Sequence, residues 1–120
     1  MIRRSKKTLA RNRIIKQLDD LARQRVFERD GFRCVRCTKC ERSGWKIDWA
    51  HIISRRHHSV RWEADNALTL CFTCHDWWHK YPTLSGPWFL KNWPDRHERI
   101  YTLYNIGGKV DIKALLEHSK

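Results

Sequence analysis

The chain reads as a small α+β domain stapled by zinc, and three features of its 120 residues lead to that reading. The spacings Cys34-x2-Cys37-x2-Cys40 and Cys71-x2-Cys74 place cysteine knuckles well apart in sequence, the arrangement of a four-cysteine zinc site. Ile14, Leu18, Leu21, Ala22 and Val26 recur at steps of three and four, which predicts a helix over about 7–28. Ile47, Trp49 and His51 share one face by the period of two, which predicts a short strand within 45–53.

Each further element follows in order. Arg29-Asp30-Gly31 stops the first helix, with Gly31 suited to a left-handed turn. Residues 54–60 are polar and basic and read as a loop. Asp65-Asn66 is a turn pair before the apolar Ala67-Leu68-Thr69-Leu70. The second knuckle opens a helix that closes by Tyr81, because Pro82 disfavours a helical residue before it. Ser85-Gly86-Pro87 is a helix-start signal, with Ser85 as N-cap of a short helix near 88–92. A helix over 95–105 follows, Gly107-Gly108 breaks it, and Asp111 caps a last helix through Glu117. Seven Trp in so short a chain predict a small aromatic core assisted by metal.

Composition bounds the partners. Lys and Arg number 25 against 13 Asp and Glu, a formal +12. Four thiolates and one Zn²⁺ together add −2, so the balance stays near +10. Nucleic acid is the leading partner for such a charge, ahead of an anionic membrane. Residues 1–16 carry seven basic side chains and no acidic one, a basic arm able to lie on phosphates, before a single domain over 17–120. No apolar run approaches the ~18 residues of a span, and no signal-peptide hydrophobic region opens the chain. The expected setting is soluble and intracellular, where thiols stay reduced and five cysteines are not a disulfide framework. Cys37 can pair with either Cys34 or Cys40.

His75 and His79 are spaced i, i+4, so both imidazoles leave one helical face, a common metal platform. Cys71 and Cys74 belong to a separate thiolate cage, which predicts one closed and one open metal position close together. A lone His51 in an apolar strand would be a core histidine. The company of Asn66, His75 and His79 points instead to chemistry. His57 and His58 read as solvated loop residues, and Trp77 and Trp78 as packing residues.

The strings Arg29-Asp30-Gly31-Phe32-Arg33-Cys34-Val35-Arg36-Cys37, Trp49-Ala50-His51-Ile52-Ile53, Arg61-Trp62, Asp65-Asn66-Ala67-Leu68 and Cys71-x2-Cys74-His75 resemble the HNH endonucleases. Trp77-Trp78-His79-Lys80 and Trp88-Phe89 look like a branch found in bacteriophages and prophages. The resemblance covers about residues 26–94, the core of the domain, with C-terminal helices over 95–120. It implies a ββα-metal finger: a two-stranded ribbon and a helix holding one divalent ion, flanked here by helices. The family's Arg-Asp-x-x-x-Cys string before the first zinc cysteine favours Cys34 with Cys37, giving a structural Zn²⁺ on Cys34, Cys37, Cys71 and Cys74. It implies His51 as general base, Asn66 as the middle Asn and His75 as the final His. Position 50, an Asp or His metal ligand in the family, is Ala50 here.

Phosphodiester hydrolysis needs a base for water and positive charge on the phosphate and the leaving oxygen. A neutral imidazole serves the first need near pH 7, which assigns His51, with activity falling as pH drops through about 6.5. A divalent ion (Mg²⁺, Mn²⁺ or another) on His75 and His79 serves the second. Asn66 either reaches that ion or holds the His51 loop by hydrogen bonds. Arg55, Arg56 and Arg61 are candidate phosphate clamps on double-stranded DNA. The expected function is therefore a metal-dependent DNA endonuclease or nickase, acting in the host cytoplasm if phage-encoded. The alternative is a non-catalytic zinc-ribbon DNA-binding module, an accessory to phage packaging proteins. A pure binding module has no need of His51 together with His75.

Overall fold

A two-stranded antiparallel ribbon, β1 (Ile47–His51) and β2 (Ala67–Cys71), forms the centre of the molecule. The computed structural model describes residues 4–38 and 46–119, so Cys40 lies outside the described residues. The register pairs Ile47 with Cys71 and His51 with Ala67. Every residue of β2 is buried, which explains why its sequence shows no exposed polar alternation; its one polar side chain, Thr69, donates to the Val26 carbonyl at 3.4 Å. Among the described residues, six helices and one 3₁₀ turn surround this ribbon, a mixed α/β architecture.

Helix α1 (Lys6–Arg29) is capped by Ser5, whose hydroxyl accepts from the Thr8 N–H at 3.1 Å. It buries Leu18, Ala22 and Val26, a stripe at steps of four. The basic arm expected over 1–16 is therefore no separate segment from Lys6 onward but the exposed first turns of this helix. At its end Gly31 and Phe32 both take positive φ, 70° and 56°. Arg29 donates to the carbonyls of Ala64 (2.6 Å) and Ala67 (2.7 Å), while Asp30 accepts from the Thr69 N–H at 3.0 Å. The Arg-Asp pair thus staples the helix end to β2 and sets the first knuckle against the ribbon, where the Val35 N–H reaches the Thr69 carbonyl at 3.0 Å.

Strand β1 ends at His51, shorter than the sequence suggests; the Ile52 N–H still meets the Asn66 carbonyl at 2.9 Å, the next pair of the register, but there the facing segment is already a 3₁₀ turn. The predicted loop over 54–60 ends in a single helical turn, α2 (His58–Arg61), and the 3₁₀ turn Ala64–Asn66 delivers the chain to β2. Helix α3 (Phe72–Lys80) follows β2 directly, as predicted. Helix α4 (Pro82–Asn92) starts three residues before the predicted Ser85 cap. Pro82 opens it because a first-turn residue needs no N–H partner. Ser85 is buried inside it and donates to the Trp78 carbonyl at 2.9 Å, joining α4 to α3. Helix α5 (Pro94–Ile106) ends at Gly107 and Gly108, both at positive φ. In α6 (Ile112–Ser119), Asp111 accepts from the Ala114 N–H at 3.1 Å, the predicted cap.

Two apolar clusters result. The larger joins Cys34, Cys71 and Cys74 to Leu68, Leu70, Val60, Phe89 and Ile100, with Trp77, Trp88 and Trp93 along its edge. The smaller packs Leu18 of α1 on Ile112 and Leu116 of α6. Tryptophan edges meet ring faces through the first cluster, Trp77 on Trp88 at 5.6 Å and Trp88 on Trp93 at 5.3 Å. The aromatic core expected from the composition lies there, beside the cysteines.

Candidate functional site: a closed thiolate cluster and an open histidine groove

Cys34 and Cys37 come from the turn after α1, Cys71 from the end of β2, and Cys74 from the first turn of α3. Their four sulfurs all lie within 4.8 Å of one another, and Cys37 and Cys71 approach to 3.5 Å. Sulfurs about 2.3 Å from a tetrahedral zinc stand roughly 3.8 Å apart, so the cluster is placed to bind a metal ion such as zinc. Of the two pairings the sequence allows, the described residues hold Cys34 with Cys37. Burial works against ionising Cys34, yet N–H donors from the backbone of Cys37, Cys71 and Arg36 lower its thiol to about 7. Burial, with the crowding of Cys34 and Cys71, pushes Cys74 up to about 12. Four thiols at this spacing cannot all ionise without a cation among them. Arg36 donates to the Cys74 sulfur at 3.4 Å and stacks 3.7 Å above the Trp77 ring.

Farther around α3, His75 and His79 border a groove of about 480 Å³ shared with His51, Trp49, Ile52 and Arg55. The structure therefore brings the three predicted histidines to one opening. His51 Nε2 lies 3.0 Å from the Arg61 carbonyl, which only accepts, so Nε2 carries the proton and Nδ1 is the acceptor of the neutral ring. Burial and the charges of Arg55 and Arg61 push His51 down to about 4, against the opposing pull of the carbonyl and Asp19. The ring is neutral at pH 7, and its titration falls well below the 6.5 expected from the sequence. The edge of Trp49 packs on it with ring centroids 4.1 Å apart.

His75 Nε2 and His79 Nε2 stand 3.1 Å apart. Two imidazole nitrogens at that separation subtend roughly 100° at a cation ~2.05 Å from each, so the pair fits the donor geometry of one ion. It offers two protein donors; among the described residues the only cluster of three or more is the cysteine set. Ala50 is 2 % exposed, packed in the core cluster, and supplies no donor. A carboxylate introduced there would first have to be desolvated.

Asn66 is fully buried. Its Oδ1 accepts from the Ile53 N–H at 2.8 Å, and its Nδ2 donates to the carbonyls of Ile53 (3.0 Å) and Val60 (3.1 Å). Of the two roles open to it from sequence, the geometry is that of the brace: Asn66 closes the loop between β1 and β2. Asp19 of α1 braces the same loop from outside. It accepts from Arg61 Nε (2.9 Å) and Nη2 (2.7 Å), Trp62 Nε1 (2.8 Å) and Arg55 Nη2 (3.3 Å). Burial tends to raise the Asp19 carboxyl, but the bonds from Arg61 and Trp62 and the charges of Arg61 and Arg55 outweigh it and hold it below its ordinary range.

The three predicted phosphate clamps thus separate. Arg61 is committed to Asp19 with its side chain 15 % exposed. Arg55 is half exposed at the groove. Arg56 lies around a different hollow, with Arg11 and Lys109.

No family model matches the chain, and no curated protein or solved structure matches it. Three partners of the site were missed from sequence: Arg36, Asp19 and Asp48, whose Oδ2 lies 3.1 Å from His75 Nδ1. Only Asp48 left a signal, a charged residue between Ile47 and Trp49 in an otherwise apolar strand.

Proposed function

We propose that this chain is a metal-dependent DNA endonuclease or nickase of the HNH type that hydrolyses phosphodiester bonds. The observation that carries the reading is a neutral, carbonyl-tethered His51 sharing one groove with the His75–His79 pair. The order β1, β2, α3, with Asn66 bracing the connection, supports a ββα-metal finger. His51 Nδ1 accepts a proton from water as that oxygen forms a bond to phosphorus. The bond from phosphorus to the 3′ oxygen breaks, and the 3′ oxygen takes a proton from solvent. A divalent ion held by His75 and His79 would place positive charge on the phosphate and the departing oxygen. Two imidazoles suit a transition-metal ion better than Mg²⁺, which prefers oxygen ligands, so Mn²⁺ is expected to serve better than Mg²⁺.

Double-stranded DNA is the polyanion that a formal +12 best fits, with Arg55 nearest the reacting phosphate. Among the described residues no helix is long and apolar enough to cross a membrane. The test is incubation of supercoiled plasmid with the full chain and Mn²⁺, Mg²⁺ or EDTA. Relaxed or linear product with the divalent ion, none with EDTA and none from a folded His51→Ala variant is the expected result. Tight binding without cleavage in any ion would replace this reading by a zinc DNA-binding module accessory to phage packaging, for which charge and the cysteine cluster suffice.

A further inference from the structure

The His75 ring has two nitrogens, and both are engaged. Nδ1 faces the Asp48 carboxylate at 3.1 Å, and Nε2 faces His79 Nε2 at 3.1 Å. A carboxylate only accepts, so Asp48 selects the tautomer with the proton on Nδ1 and leaves the Nε2 lone pair turned toward His79. The pair is not a device of the core, because the side chains of His75 and Asp48 are 26 % and 21 % exposed. A lone partly exposed contact of this kind adds little to folding. Its geometry is that of a carboxylate orienting a ligating imidazole, which raises the basicity of the ligand and adds negative charge behind it.

The fold explains why the carboxylate comes from position 48. Asp48 and Ala50 lie on the same face of β1 by the period of two. Position 50 is enclosed by the core cluster, whereas position 48 stands at the rim beside α3. We infer that Asp48 is a positioning residue for a divalent-cation site on His75 and His79, supplying through the imidazole the negative charge that Ala50 does not supply directly. This deepens the reading of the same groove, and its test reads metal binding separately from cleavage.

The probe is Mn²⁺ alone, titrated into the full, zinc-loaded chain and followed by the loss of free Mn²⁺ signal in electron paramagnetic resonance. The binding lost in His75→Ala and His79→Ala defines the site. Asp48→Ala should weaken Mn²⁺ binding by about 10–100-fold, Asp48→Glu should recover part of the loss, and the melting temperature of both should stay near that of the wild type. Long-range proton–nitrogen NMR should find His75 as the Nδ1–H tautomer in the wild type and as a mixture in Asp48→Ala. Unchanged Mn²⁺ affinity with an unchanged tautomer in Asp48→Ala overturns the inference, as does a wild type that binds no Mn²⁺ through these histidines. A wild type that binds Mn²⁺ in the Asp48-dependent way yet leaves plasmid intact would sink the nuclease reading and uphold the role of Asp48.

Discussion

Cys74 and His75 are neighbours in sequence and belong to two sites with opposite physics. One turns into the core, where its sulfur joins that of Cys71 and the two of the distant Cys34–Cys37 turn. The other turns about 100° around α3 into an open groove, where it meets one histidine and one carboxylate. The cysteine cluster offers four donors in one place, three of them buried among apolar neighbours and Cys37 half-buried. The histidine pair offers two donors to an open groove, and on the proposed reading an ion there would have positions left for water or a phosphate oxygen. A nine-residue helix thus serves folding on its buried face and candidate chemistry on its open face. Closure suits a structural ion and openness suits a reacting one.

Disturbing each site in turn, with fold and activity both measured, separates the two roles. Cys71→Ser or Cys74→Ser should unfold the domain, since a closed thiolate site of this kind contributes on the order of 10 kcal/mol to folding. Circular dichroism with zinc analysis checks it, and zinc-free protein that melts normally would contradict a structural role. Cys34→Ser should be as damaging as Cys37→Ser.

His51→Ala tests the other side. It should leave the melting temperature little changed and reduce plasmid cleavage by about 10²–10⁴-fold. A folded and fully active variant would remove His51 from the mechanism.

Asn66→Ala lies between the two. It orphans the Ile53 N–H and the Ile53 carbonyl in a buried place, each costing about 1–3 kcal/mol, while the Val60 carbonyl keeps the Glu63 N–H. Stability should fall by several kcal/mol in urea unfolding. Because the brace carries the loop next to His51, residual activity at low temperature should also drop.

The smallest effect is the pH dependence. Folding lowers His51 from 6.5 to about 4, so the unfolded chain binds the proton more readily. The stability that depends on a neutral His51 is complete above about 6.5 and is lost as pH falls toward 4. A His51→Gln variant should show a shallower fall of melting temperature over that window. At saturating Mn²⁺, plasmid cleavage by the wild type should stay level as pH is lowered through 6.5, and a drop centred there that added Mn²⁺ does not reverse would contradict a depressed His51.

Local signals decided a large part of this molecule. The helix of α1, its stop at Gly31, the breaks at Pro82 and Gly107-Gly108, and the cap at Asp111 each depend on a few adjacent residues, and each stands where the sequence places it. The cysteine spacing named the closed site, because two Cys-x-x-Cys knuckles in one short chain are the pattern of a thiolate metal cage. The i, i+4 histidines named the open one, because helical geometry alone puts both rings on one face. What the sequence could not decide were partners brought from distant segments. Asp19 binds Arg61 across 42 residues, and Asp48 binds His75 across 27. Ser85 reads locally as a cap, and only the approach of α3 makes it a buried donor to the Trp78 carbonyl. The pKa of His51 belongs to the same class, since burial and the Arg55 and Arg61 charges exist only once the loop has closed. Turn and helix preferences are encoded over a few residues. Desolvation, ion pairing and the orientation of an imidazole arise only when the chain has packed.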